Sequence, residues 1–164
     1  MISTGIGVDS HRLEPGRPLI LGGVDIPHEE GLAGHSDADV LTHAIVDALL
    51  GAGAMGDIGQ HFPDTDPAFK DADSLELLRA VVGRLGRHGF RIVHVDATVM
   101  MERPKLSPYR DRIRERLADV LEIGLGHVSV KATTGERMGF VGRGEGVAAM
   151  AIATLDRPEE LPAR

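Results

Sequence analysis

Between Phe90 and Met101 the side chains alternate so regularly that the stretch reads as a β-strand. Val93, Val95, Ala97, Val99 and Met101 share one face, and His94, Asp96 and Thr98 the other. The first face belongs to a core; the second is too polar for an ordinary buried layer, yet not richly charged. Three further segments read as strands: Ile2 to Val8, with Asp9 and His11 at its C-terminal end, His127 to Thr133, and Gly146 to Leu155. Pro18 to Pro27 reads as a strand or hairpin arm interrupted by Gly22 and Gly23. Elsewhere the period lengthens. Ser36 or Asp37 can cap a helix whose apolar positions include Val40, Leu41, Ala44, Ile45, Ala48 and Leu49. Asp73 and Glu76 form a capping-box pattern before Leu75, Leu78, Val82 and Leu85. Ser107 and Pro108 open a third helix, with Ile113, Leu117, Val120 and Leu121 as its stripe.

This order predicts an α/β (α+β) two-layer sandwich, a mixed sheet of four or five strands with helices on one face. Three helices cannot easily cover both faces of the sheet, so the other is expected to meet copies of itself. The 164 residues fit one domain, 1–164, with 156–164 expected to be a frayed tail. With four Phe, one Tyr and no Trp, the core must be aliphatic. A net charge of −7 and the lack of a basic cluster interleaved with aromatics argue against nucleic acid as a partner. No apolar run is long enough for a membrane helix, and Asp9 and His11 come too early for a signal peptide, so a soluble, cytoplasmic protein is expected. There is no Cys, and any transition-metal site must therefore use His and carboxylate.

Asp9 and His11, two apart on a strand, face the same way. His43 stands in the first helix with Asp39 four residues before it and Asp47 four after. Either this is a surface helix with a histidine between carboxylates, or His43 completes an Asp/His/His set with Asp47 or Asp39 holding its other nitrogen. Such a set binds zinc and leaves one tetrahedral position open. His35 and Ser36 precede the helix and suit either a phosphate or simple capping. The loop carrying Asp57, Ile58, Gly59, His61, Phe62, Asp64 and Asp66 suits a polyol, or is merely acidic and solvated. Lys105 can meet a phosphate, and Glu136 can share a hard cation such as Mg²⁺ with phosphate oxygens; otherwise both are surface groups. Arg143 and Glu145 lie in a glycine-rich, nest-like GRGEG that matches neither a phosphate loop nor a dinucleotide fingerprint.

Taken together, several long motifs appear in a recognisable order: Asp9-Ser10-His11, LGG at 21–23, IPHEEGLAGHSDADVLTHAIVDALLGA, GDIGQHFPDTDPAFK with DSLELL, RPKL at 103–106, VKATTGERMGF, and GRGEG at 142–146. Over nearly its whole length the chain resembles the 2-C-methyl-D-erythritol 2,4-cyclodiphosphate synthase family of non-mevalonate isoprenoid synthesis. The resemblance implies a lyase that turns 4-diphosphocytidyl-2-C-methyl-D-erythritol 2-phosphate into the cyclic diphosphate plus CMP. It implies a homotrimer, with sheets packed around a three-fold axis and active sites between subunits. It also implies zinc on Asp9, His11 and His43, and magnesium or manganese at Glu136.

His35, Lys105 and Thr134 are the catalytic candidates that the resemblance points to. Substrate contacts are expected from Asp9, His11, His35, Ser36, Asp57, Ile58, Gly59, Phe62, Asp64, Lys105, Thr133, Thr134, Glu136, Phe140 and Arg143. Those from Lys105, Thr133 and Thr134 are expected to come from the neighbouring subunit, toward the cytidine diphosphate. Two departures stand out. Ser10 sits where Val is familiar, with its side chain expected to point away from the metal, and Gly135 replaces a Thr, which is expected to loosen its loop. The rival readings are a zinc-dependent phosphohydrolase and a non-catalytic trimeric module that binds a phosphorylated metabolite.

Overall fold

Two glycines decide how closely the first strand and first helix approach. In the computed structural model, which describes residues 1–158, β1 spans Ile2–Pro15, with odd-numbered side chains turned inward through Leu13 and even-numbered ones exposed. A Cβ on Gly7 would fall 2.0 Å from the Ala44 carbonyl oxygen, and one on Gly5 would fall 2.2 Å from that of Ala48. Helix α1 (Val40–Ala52) can therefore rest its backbone directly on the strand, with Ala44, Ala48 and Ala52 at the contact. Asp9 and His11 share the parity of Gly5 and Gly7, so the same face carries them toward α1.

β1 pairs antiparallel with β7 (Gly146–Asp156) from Ile2 to Arg12, and with β4 (Glu30–Leu32) from Leu13 to Pro15. This double pairing extends the strand beyond the expected end at Val8, and Asp9 and His11 lie within it rather than at its end. β4 was not expected at all: its three residues are too few to show a period. β7 pairs antiparallel with β5 (Arg91–Met100), and β5 parallel with β6 (Val128–Thr133), giving a mixed five-stranded sheet in the order β4-β1-β7-β5-β6. β2 (Leu19–Leu21) and β3 (Val24–Ile26) form a separate hairpin. Its two turn residues, Gly22 and Gly23, both have positive φ, as a two-residue turn of the hairpin hand requires. Of the expected tail, Asp156 closes β7, and 159–164 lie outside the described residues.

The core lies between the sheet and α1, α3 (Ser74–Arg87) and α4 (Arg110–Leu121), with α2 (Ile58–His61) and α5 (Gly139–Gly142) as single turns. Val95, Ala97 and Val99 are buried as their alternation predicts. Val93 is not: a bulge between Ile92 and His94 leaves it unpaired and 38% exposed, and Ile92 packs against the core instead. On the uncovered face Ile6 stands opposite Ile152 and Val8 opposite Met150, each 41–60% exposed, beside the polar Asp96 and Thr98.

Two expected caps move. Neither Ser36 nor Asp37 caps α1. Asp39 does, accepting the Thr42 N–H at 3.0 Å while also accepting those of Gly22 (3.0 Å) and Gly23 (2.8 Å), so one buried carboxylate serves helix and hairpin together. Nor does Ser107 cap α4. A turn closed by the Tyr109 N–H on the Leu106 carbonyl (2.9 Å) buries Leu106 and takes up Ser107 and Pro108 before the helix begins.

Candidate functional site

The close approach of β1 and α1 brings three side chains to one point. Asp9 Oδ2 lies 2.9 Å from His11 Nε2 and 3.0 Å from His43 Nδ1, and the two ring nitrogens are 3.3 Å apart. Among the described residues this is the one cluster of three metal-ligating side chains with converging donor atoms. The far side of His11 is fixed: its Nδ1 lies 2.7 Å from the Ala33 carbonyl, which can only accept, so Nδ1 carries a proton and Nε2 is the nitrogen that faces the cluster, free to donate to Asp9 or, once deprotonated, to bind a metal. Burial alone would raise the Asp9 carboxyl, but hydrogen bonds and charge from His11 and His43 hold it well below the usual carboxylate range. His11 is the converse case: burial works against its charged form, and Asp9 prevails and raises it. One carboxylate and two imidazoles in a half-buried recess match the donor set of a three-ligand metal site with an open position, so a divalent metal fits.

The partner of His43's other nitrogen is neither of the carboxylates expected. Asp39 is fully buried and occupied by the helix start and the hairpin turn, and burial raises its carboxyl. Asp47 accepts the Ile58 N–H at 2.7 Å and so positions α2. His43 Nε2 instead faces two serine hydroxyls, Ser74 at 2.9 Å and Ser36 at 3.2 Å. Helical spacing placed the three polar residues correctly along α1 but carried no information about what packs against each.

A cavity of about 490 Å³ opens beside the cluster, lined by Asp9, His11, His35, Ser36, His43, Ile58, Gly59, Phe62 and Asp64 among others. These expected residues are thus brought together. Phe62 packs edge-on to Phe69, which also lines the cavity, at 5.3 Å, and the His35 ring reaches the Asp66 carbonyl at 3.3 Å. Asp57 caps α2 through the Gln60 N–H (2.9 Å), and Ser10 is exposed, turned away from the Asp9, His11 and His43 cluster.

The remaining expected residues lie elsewhere. Lys105, Thr133, Thr134 and Glu136 line a second cavity of about 290 Å³ that shares no lining residue with the first. Its floor is a tense turn: Glu136 and Arg137 both have left-handed φ (50° and 63°), Thr134 Oγ1 donates to Glu136 Oε1 at 2.6 Å, and Glu102 accepts the Gly135 N–H at 2.9 Å. Gly135 does not loosen this loop. A Cβ there would lie 2.5 Å from the Gly142 nitrogen, so the glycine lets the turn pack against α5. Glu136 offers a single exposed carboxylate, which fits a hard cation completed by phosphate oxygens. Phe140 borders a separate hollow beside Ser10, His11 and Arg12, and Arg143 is paired with Glu145 at 2.7 Å, apart from both cavities.

A sequence profile described as the YgbB family matches residues 2–156. The chain belongs to that family. It is 60% identical over 151 residues to the 2-C-methyl-D-erythritol 2,4-cyclodiphosphate synthase of Symbiobacterium thermophilum, covering 92% of this chain and 96% of that protein. Among solved structures, the bifunctional IspDF from Campylobacter jejuni superposes with a TM-score of 0.93 at 42% identity, over 97% of this chain and 43% of that longer one. A 2C-methyl-D-erythritol-2,4-cyclodiphosphate synthase in its CDP-bound form gives a TM-score of 0.86 at 37% identity, over 93% of this chain and 99% of that one. In this member of the YgbB family, sequence reasoning missed Ser74 and Asp37 behind His43 and Glu102 beneath Gly135. Only Ser74 left a signal, as a hydroxyl directly after the Asp73 cap.

Proposed function

We propose that this protein is a 2-C-methyl-D-erythritol 2,4-cyclodiphosphate synthase, closing its cytidine-bearing substrate into a cyclic diphosphate with release of CMP. The observation that carries this reading is the convergence of Asp9, His11 and His43 at the wall of a cavity whose other residues suit a phosphorylated polyol. An oxygen of the 2-phosphate attacks the β-phosphorus, a new P–O bond forms, and the bond from the β-phosphorus to the CMP oxygen breaks. Asp57 and Asp64 accept hydrogens from the polyol hydroxyls, and Ile58 and Gly59 offer backbone contacts. His35 and Ser36 hold the phosphate side. Lys105, Thr133 and Thr134 take the diphosphate from across a subunit boundary. Zinc at Asp9, His11 and His43, with magnesium or manganese at Glu136, supplies Lewis-acid neutralisation of phosphate charge when bound. The chain's main contribution is to hold a flexible substrate in the cyclising pose, an effect of up to about 7–11 kcal/mol in well-oriented systems.

The functional unit in this proposal is a homotrimer. Two observations support it: the apolar face around Ile6, Val8, Met150 and Ile152 has no cover among the described residues, and the two sets of site residues line separate cavities. Among the described residues no helix is long and apolar enough to cross a membrane, and we place the reaction in the cytoplasm with its small charged metabolites. The test is turnover of the purified protein with zinc and magnesium, followed by ³¹P NMR. The expected products are the cyclic diphosphate and CMP. A linear hydrolysis product would make it a phosphohydrolase, and binding without CMP release would make it a binding module.

A further inference from the structure

We propose that Asp37 and Ser74 are positioning residues that fix His43 in the tautomer able to bind a metal. This rests on the reading of Asp9, His11 and His43 as metal ligands. The nitrogen of His43 that faces Asp9 and His11 is Nδ1; the acceptor-only Asp9 carboxylate, 3.0 Å away, draws the ring proton to that atom, whereas a metal there needs its lone pair, so binding requires an acceptor behind the ring that draws the proton to Nε2. Nε2 sits 2.9 Å from Ser74 Oγ. A serine hydroxyl can donate or accept, and on its own would permit either tautomer. Asp37 removes the choice.

The Asp37 carboxylate takes the Ser74 hydroxyl proton on Oδ1 and the Ser74 backbone N–H on Oδ2 at 3.0 Å. With its hydrogen committed to Asp37, the Ser74 oxygen can only accept from His43 Nε2–H. Asp37 is itself held: its Oδ1 accepts the Asp39 N–H at 3.1 Å, and its own N–H donates to the Ala72 carbonyl at 3.1 Å. Ser74 is fully buried, so water does not compete for its hydroxyl. Ser36, at 3.2 Å from Nε2, accepts the Ala38 N–H at 3.2 Å but keeps its own hydroxyl hydrogen uncommitted, so it can follow either tautomer and the longer contact does not set it. The proton order therefore runs one way, from His43 through Ser74 to Asp37, and joins the starts of α1 and α3 behind the cluster.

The test compares wild type, Ser74→Ala, Ser74→Thr and Asp37→Asn. Zinc affinity is read by competition with a chromophoric chelator, and the His43 tautomer of the metal-free protein by long-range ¹H–¹⁵N NMR at one fixed pH. Ser74→Ala loses the acceptor, and Asp37→Asn can donate to Ser74 and free its hydroxyl to point at Nε2. Both are expected to bind zinc roughly 10–100-fold more weakly, the usual cost of losing such a support. In Asp37→Asn the ring proton is expected to shift toward Nδ1, whereas Ser74→Thr keeps wild-type behaviour. A purely structural role would lower the melting temperature and leave affinity and tautomer unchanged. If Ser74→Ala does not fold, Asp37→Asn carries the test. Wild-type affinity and an Nε2–H ring in Asp37→Asn overturn the proposal; a wild-type protein that binds no zinc overturns the metal reading beneath it.

Discussion

The two half-sites are built to different standards. Around Asp9, His11 and His43 nearly every polar atom has a partner behind it: Ala33 holds His11, Ser74 and Ser36 hold His43, and Asp47 fixes the neighbouring α2. The residues sit on a strand and helix packed backbone to backbone through Gly5 and Gly7. Around Lys105 and Glu136 the side chains are exposed, and the turn that carries Glu136 is tied down by Glu102 and by close packing on α5. The first half is preorganised within one chain, and the second is presented outward. In our reading, the rigid half places the metal and the open half is completed when a second copy supplies the rest.

The sharpest way to break the first half is His43→Ala. It removes one of three ligands while favouring the helix, and should cost several kcal/mol of transition-state stabilisation, on the order of a thousandfold in kcat, with most of the bound zinc lost. Turnover and metal content check it together. Lys105→Ala should lower kcat/KM by about ten- to a hundredfold, the worth of a charge-assisted contact, with zinc content unchanged. Gly7→Ala attacks the scaffold: its Cβ would press on the Ala44 carbonyl, and denaturant titration should show a loss of about 1–3 kcal/mol. Gly51→Ala is the control, because its Cβ would meet nothing closer than 3.8 Å.

The smallest effect concerns pH. Asp9 is shifted down, so its stabilisation is present above its ordinary value of 3.8 and is lost as pH falls through the lower folded value. His11 is shifted up, so its contribution is present below 6.5 and is lost as pH rises through the raised value. The melting temperature of the metal-free protein should therefore carry a shallow maximum between those two pH values. Saturating zinc should flatten the upper flank, because metal ligation needs the lone pair that the proton occupies.

Much of this was legible in the chain. The alternation at Val95, Ala97 and Val99, the stripes of α3 and α4 and the glycine pair of the hairpin are local patterns, and local patterns survive folding. The convergence of Asp9 and His11 with His43 was suggested by residue type, but spacing alone could not say that strand and helix meet. Gly5 and Gly7 in phase with Asp9 and His11, facing alanines four apart in α1, are the signal that could have said so. What stayed hidden depended on third parties: the bulge that turns Val93 outward, the use of Asp39 by a distant hairpin, and Ser74 arriving from another helix to meet His43.

In our reading, one chain holds one complete half-site and lends the other. The most direct test mixes His43→Ala with Lys105→Ala after reversible dissociation, once each variant is shown to be folded, its residual activity alone is measured, and mixed assemblies are confirmed by mass. In a random equal mixture roughly a quarter of the sites would pair an intact His43 with an intact Lys105 from the neighbouring chain, and CMP release should recover to about that fraction of wild type. Confirmed mixed assemblies with no activity above the separate variants, or a fully active monomer in sedimentation, would contradict it.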